Sequence, residues 1–406
     1  MTTLRRTPLL HAAIVAIVAL ALSACESPTD NGAAADAWAT PAQLFDGTVA
    51  PWPGQLVADG SGLYLLTIAH DRFNRWSNGS GVDPTTSVET LALRTWSAGA
   101  WSSPETVAVG QAGARLYAQM AVDGAGRLHV IWGEARHIRD DAFHWDFAVR
   151  HRSRGPQGWT ATETFHETIA GRGPPPNGVA AAAGRDGRVH LVYEETRQQY
   201  DLAAGTVARF LVQDGASWSS QRVRLGTHLI GGVTLHGVGG SELVALYNDT
   251  GDKVQRALRF RGGRWEAPVA GGRMTWLNAA DGKGRIHALW VDGVLRHSSS
   301  TDGVAWAPAV EVLPAGRPSL WHQATVVDSR DRVHLLMGGG EVGGVPGFGH
   351  ARFDGGAWSM IDAKPEAVNF DGMNAAIDAE DRIHLVWRSG RGDQARLFHS
   401  VLDASP

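Results

Sequence analysis

One cysteine, Cys25, stands in 406 residues, so no disulfide can form within the chain and no cysteine cluster can hold a metal. Charge is sparse at 19% of residues, and a net charge of -4 offers none of the concentrated basic surface that nucleic acid requires. Long hydrophobic runs are also scarce. Leu9–Leu22, interrupted by His11, falls short of the roughly 20 apolar residues that cross a bilayer as a helix. Compact metal-ligand spacing is absent: His137 and His144 stand seven apart with Asp140 and Asp141 between them, too loose to argue for an ion. No metal and no cofactor are expected. What the chain does have is glycine (50) and tryptophan (16), a composition of short strands and tight turns rather than helices.

The first residues read as an address. Arg5 and Arg6 precede the apolar run, which ends in Leu22-Ser23-Ala24-Cys25. That ending resembles the lipobox of bacterial lipoproteins, which implies cleavage before Cys25 and lipidation of its thiol. The expectation is a signal peptide over 1–24, a flexible tether over 25–36, and a membrane anchor at Cys25 in the bacterial cell envelope. Glu26 stands where the resemblance associates aspartate with inner-membrane retention, which favours the outer membrane.

Beyond the tether the chain keeps rewriting one stretch. Asp281–Trp290 reads DGKGRIHALW; Asp123–Trp132, Asp186–Tyr193, Asp328–Met337 and Asp378–Trp387 are strong copies, and Asp59–Thr67 and Gly239–Tyr247 weaker ones. Each strong copy has an apolar strand, an Asp/Gly turn, and a second strand nearly all large or branched, as an interior strand buried on both faces would be. The positions equivalent to His287 are Tyr64, His129, His190, Val244, His334 and His384. Their spacing, 43 to 65 residues, matches propeller blades of roughly 40–50 residues with loop insertions. A tryptophan after a Gly-containing turn marks the fourth strand at Trp101, Trp159, Trp218, Trp265, Trp306 and Trp358. The last unit lacks one, and the spare copy, Trp38, lies before the first. The sequence therefore predicts an all-β, seven-bladed β-propeller over 37–403, closed by the N-terminal strand pairing into the C-terminal blade.

These repeats resemble those of the sialidase-like, BNR-repeat (Asp-box) propeller superfamily. Ser300-Thr-Asp-Gly-Val-Ala-Trp306 is one residue short of its Ser-x-Asp-x-Gly-x-x-Trp box, and Asp214–Trp218 and Asp354–Trp358 are more worn copies. The resemblance implies turn-stabilising features remote from any active site. A sialidase of that superfamily would carry an Arg-Ile-Pro element and a Tyr/Glu nucleophile pair. The first is missing and the second cannot be placed, so typical sialidase activity is not expected.

Repetition also sorts residues. A site on the ring axis occurs once, so His129, His190, His287, His334 and His384 are read as packed scaffold, with Arg285 reaching an aspartate of an adjacent turn. After subtraction, the loops between second and third strands and between blades remain. Their candidates for chemistry are His70, Asp71, Glu134, Arg136, His137, His144, Glu194, Arg197 and Tyr200; for ligand binding, Arg72, Trp76, Trp145, Trp276, Trp321 and His322. Trp52, Asn248, Asp292, Arg388 and Asn374 fall in the same zone. Aromatic faces beside arginine, amide and carboxylate groups suit sugar rings. The expectation is a monomeric, lipid-anchored propeller binding a glycan or another extracytoplasmic ligand. The alternatives are a carbohydrate-active enzyme (polysaccharide lyase or glycoside hydrolase) and an envelope protein-interaction scaffold.

Overall fold

The computed structural model describes residues 38–44, 52–59, 62–70, 87–137, 144–172, 178–184, 186–196, 206–226, 232–238, 242–275, 277–312, 322–342, 345–361, 372–390 and 395–403. Every regular element among them is a β-strand, and the strands form seven antiparallel sheets. The inner strands are Trp52–Asp59, Ala114–Val122, Val179–Ala183, Thr234–Gly237, Leu277–Ala280, His322–Val327 and Met373–Ile377, in sheets 1 to 7. They neighbour one another in circular order, the seventh returning to the first. The protein is a seven-bladed β-propeller.

Sheet 7 takes its outermost strand from the other end of the chain. Ala42 and Gln43 pair with His399 and Phe398, and Ala39 N donates to Val401 O at 2.8 Å. Trp38 is buried against Ile383, Leu385, Trp387 and Leu402, with Phe348 of sheet 6 edge-on at 6.0 Å.

The second strands explain why the sheets stack radially. Leu63–Thr67 and Val333–Gly338 are buried at every position, which requires a neighbour on both faces. The buried apolar side chains fall into seven clusters, each joining two adjacent sheets. The junction of sheets 7 and 1 has its own cluster, Leu56, Leu63 and Leu65 with Ala376, Val386 and Leu397. At about 1.5–3 kcal/mol per fully buried leucine-sized side chain, these junctions drive assembly of the ring.

The outer strands are less regular than the tryptophan marker predicts. Trp101 and Trp265 end two-residue strands, and pairing resumes only beyond Pro104 and Pro268, which have no N–H to give a ladder. Trp306 is not in the fourth strand at all. It makes an isolated bridge to Ser300, and sheet 5 is completed by Val310–Glu311. The reason is the shortened Asp box. Asp302 Oδ1 accepts from Val304 N and Ala305 N, both at 2.9 Å, and Trp306 Nε1 donates to Gly303 O at 3.2 Å. Gly303 has φ 72°, and a Cβ there would lie 2.8 Å from Val244 Cγ1, so only glycine fits.

Candidate ligand-binding face

Each aspartate repeat occupies the turn between an inner and a second strand. Asp281 Oδ1 accepts from Lys283 N (2.9 Å) and Arg285 N (2.8 Å); Oδ2 accepts from Arg285 Nε (2.7 Å) and His287 Nε2 (3.2 Å). Arg285 thus holds the aspartate of its own turn, not that of an adjacent one, because four residues of tight turn fold it straight back. His287 Nδ1 lies 3.0 Å from His297 Nε2. A carboxylate only accepts here, so His287 donates through Nε2 and receives His297 Nε2–H at Nδ1. The same chain runs through Asp328, His334 and His350 and through Asp378, His384 and His399; in sheet 2 Asp123, His129 and His151 line up likewise, but His151 Nδ1 also lies 2.9 Å from Glu163 Oε2. Burial pulls His129, His287 and His384 below their usual range against the opposing aspartates. It drives His297, His350 and His399 down to about 3. These are neutral, buried struts.

Sheet 3 breaks the pattern. Asp186 heads the copy in sequence, but Gly184 opens the turn, accepting from Gly187 N at 2.9 Å. Asp186 Oδ2 takes Arg188 Nε at 2.6 Å. In the register of the third strand, Phe210 stands where sheets 2, 5, 6 and 7 place their second histidine. Among the described residues, fully buried His190 has no hydrogen-bond partner on either nitrogen.

The opposite end, the mouth, holds those sequence candidates whose side chains are described. Cys25, Asp71, Arg72, Trp76, Arg197, Tyr200, Trp276 and Trp321 lie outside the described residues. His137, His144, Trp145 and His322 lie on strands whose backbone is described, but their side chains lie outside the description. Asn248 and Asp292 are engaged elsewhere: Asn248 Nδ2 donates to Thr275 O, and Asp292 pairs with Arg273. Glu194 lies in the second strand of sheet 3, Val189–Thr196, and is fully buried against Gly178.

His70, Glu134 and Arg136 are brought together around the junction of sheets 1 and 2. His70 Nδ1 is 3.4 Å from Glu89 Oε1, and Glu89 Oε2 accepts Leu116 N at 2.6 Å. Burial pushes the Glu89 carboxyl up, against the Leu116 N–H and the Arg115 charge. One turn links this dyad to Glu134: Gly110 N donates to Glu89 O (2.8 Å) and Gln111 N to Glu134 Oε1 (2.7 Å). Beyond the turn opens a cleft of about 240 Å³ lined by Gln111, Glu134, Arg136, Asp146, Arg150 and Glu167, with Phe147, Ala148 and Thr168. Strand register explains the lining. Arg136 pairs with Asp146 and Glu134 with Ala148, so alternate side chains of both strands share the face toward sheet 1.

Not every charge there is special. Glu134 Oε2 accepts Arg150 Nε at 3.4 Å; the matching positions in sheets 3 and 4 form Glu195–Arg209 (2.7 Å) and Asp249–Arg256 (2.8 Å). That pair is architecture. Among the described residues, Arg136 with Asp146, at 2.5 Å, has no such counterpart, nor has His70 with Glu89. Reasoning from sequence missed Glu89, Gln111, Asp146, Arg150 and Glu167. The alternation in Asp146-Phe-Ala-Val-Arg150 was the one available signal.

No family model and none of the curated proteins matches the sequence. Solved structures do. A PL25 ulvan lyase bound to -[GlcA(1-4)Rha3S]- is similar with a TM-score of 0.55 at 12% identity, over 87% of this chain and 94% of that one. A protein of unknown function from Dyadobacter fermentans gives 0.53 at 13% identity, over 90% of this chain and 98% of that one. A Trypanosoma rangeli sialidase bound to the inhibitor DANA gives 0.45 at 9% identity, over 90% of this chain but 60% of that one. At such identities the likeness concerns the fold alone, and that fold is a seven-bladed β-propeller.

Proposed function

We propose that this protein is an exported, lipid-anchored propeller that binds a glycan at its mouth. The observation that carries the reading is the cleft on the face of sheet 2 toward sheet 1, where the Arg136–Asp146 pair, unmatched among the described residues, stands beside Glu134 and Arg150. Prearranged charged donors and acceptors in a half-open groove are what a polyhydroxylated ring requires. Fold neighbours that act on carbohydrate, the ulvan lyase among them, support the choice of ligand class. The run Leu9–Leu22 followed by Cys25 supports the anchor at the outer membrane, through which a tethered monomer faces its ligand. The test is a glycan array with the full-length chain, carrying cello-, manno- and xylo-oligosaccharides and glucuronate–rhamnose sulfate chains. Binding that Arg136→Ala abolishes or weakens supports the reading, and silence across the array overturns it. Metabolic labelling with a fatty-acid analogue, lost in Cys25→Ala, tests the anchor.

A second reading rests on His70. Its imidazole is oriented by a buried carboxylate beside the cleft, the arrangement of a general acid or base. Elimination from a uronate chain would then yield an unsaturated sugar detectable by ultraviolet absorbance, lost in His70→Ala. No absorbance change on a glucuronate–rhamnose sulfate chain sets that reading aside.

A further inference from the structure

Trp52 is the one exposed aromatic side chain among the described residues, with 40% of its surface open. It begins the inner strand of sheet 1, at the end away from the Asp59–Gly62 turn, and therefore stands at the mouth. Among the described residues, no other inner strand opens on tryptophan. The indole is held rather than loose. Arg388, only 3% exposed, places its guanidinium 4.4 Å from the ring centroid. Arg388 N donates to Gly372 O, and a Cβ on Gly372 would lie 3.3 Å from Trp52 Cζ3, so glycine leaves room for the ring. Asn374 Nδ2 donates to Pro53 O at 2.9 Å and ties the strand beneath. An amphipathic indole that a buried cation fixes in one pose, with surface left to solvent, is a preorganised stacking platform.

Sheet 1 has one face toward sheet 7 and the other toward sheet 2. Trp52 meets Arg388 of sheet 7 at the first junction, and the cleft of sheet 2 opens on the face toward the second. The charges of the cleft bear on the ligand. Arg136 is met by Asp146, and Arg150 lies between Glu134 at 3.4 Å and Glu167 at 3.9 Å. Three carboxylates face two guanidinium groups, so a uronate would meet an excess of like charge and would have to displace a carboxylate already in place. Hydroxyl groups can bind such pairs without displacing either member.

We propose that Trp52 is a second subsite for the glycan bound at the cleft, stacking an uncharged pyranose ring, and that the ligand is a neutral chain long enough to cross the mouth edge of sheet 1. The inference rests on the glycan-binding reading and narrows it to neutral glycans, which sets the lyase alternative aside. The experiment titrates the full-length chain, its Trp52→Ala and its Trp52→Phe variants with size-graded cello-, manno- and xylo-oligosaccharides and with a glucuronate–rhamnose sulfate chain. Melting temperatures control for folding. For a neutral series that binds, Trp52→Ala is expected to weaken long oligomers about tenfold while leaving the shortest binding member within about twofold, and Trp52→Phe recovers most of the loss. Wild-type binding of long oligomers that Trp52→Ala does not change overturns the subsite and leaves the glycan reading standing. Binding confined to the glucuronate chain overturns neutrality, again without touching that reading. Binding of none of the probes overturns both.

Discussion

The aspartate-turn end of the propeller is written four times in nearly the same residues, whereas the described part of the mouth differs from sheet to sheet. At the turns, Asp123, Asp281, Asp328 and Asp378 each hold an arginine and a buried pair of histidines. At the mouth, neighbouring junctions carry Trp52 on Arg388, then His70 on Glu89 with the Arg136–Asp146 cleft. The difference teaches how to read a repeat protein. What every blade needs to hold its neighbours is copied; what the protein needs once stands where the copy fails. Glu134–Arg150 shows the rule cutting against a candidate, since the pair recurs in sheets 3 and 4.

The sharpest way to break the comparison is at the copied end. Asp281→Ala removes the acceptor of Lys283 N, Arg285 N, Arg285 Nε and His287 Nε2 in a site that is 5% exposed. It should cost about 3 kcal/mol in urea unfolding without changing the glycan affinity of the folded fraction. A loss of affinity at full folding would place function at the turns.

Acid comes next. His297, His350 and His399 are held down to about 3, and His151, His190 and His236 to about 4, all mainly by burial. Because the folded values lie below the ordinary value of about 6.5, the unfolded chain takes up protons first as pH falls. Their stabilisation is therefore complete above about pH 6.5 and lost progressively toward pH 3–4. The melting temperature should fall through that window; a flat profile from pH 6.5 to 4 would mean that the histidines already carry charge in the folded protein.

At the mouth the effect should move from stability to binding. Arg136→Ala is expected to reduce glycan affinity about tenfold while shifting stability by less than about 1 kcal/mol, since the pair with Asp146 is part exposed. Equal losses in both would make Arg136 another strut. The smallest effect belongs to sheet 3. Asp186→Ala should cost only about 0.5 kcal/mol, because Asp186 holds Arg188 but not His190. A cost matching that of Asp281→Ala would show that sheet 3 keeps the relay after all.

Much of the ring was legible in the chain because its determinants are local. Asp281 and Arg285 are four residues apart, and the residue three after each turn-opening aspartate adopts positive φ: Gly126, Gly284, Asp331 and Asp381. Glycine and aspartate tolerate that conformation, so the spacing carries the turn. Trp38 was recognisable as the displaced seventh marker and lies buried in sheet 7. The second histidine of each chain was not read, although His297, His350 and His399 all lie on third strands; its spacing from the first ranges from 10 to 16 residues in those sheets, so no fixed motif exposes it. Of the candidate site, His70, Glu134 and Arg136 were named, but their partners Glu89 and Asp146 come from other strands and follow only from register.

By itself the sequence determined the number of blades, the aspartate turns and the buried second strands, since each depends on residues a few places apart and on the alternation of a strand's two faces. Tertiary structure alone decided which unrepeated side chains meet. Asn374 reaches Pro53 from 321 residues away, Arg388 lies against Trp52, and Gln111 closes on Glu134 across a junction. Such contacts exist only once the ring has brought sheet 7 beside sheet 1 and sheet 1 beside sheet 2, and no local pattern encodes them.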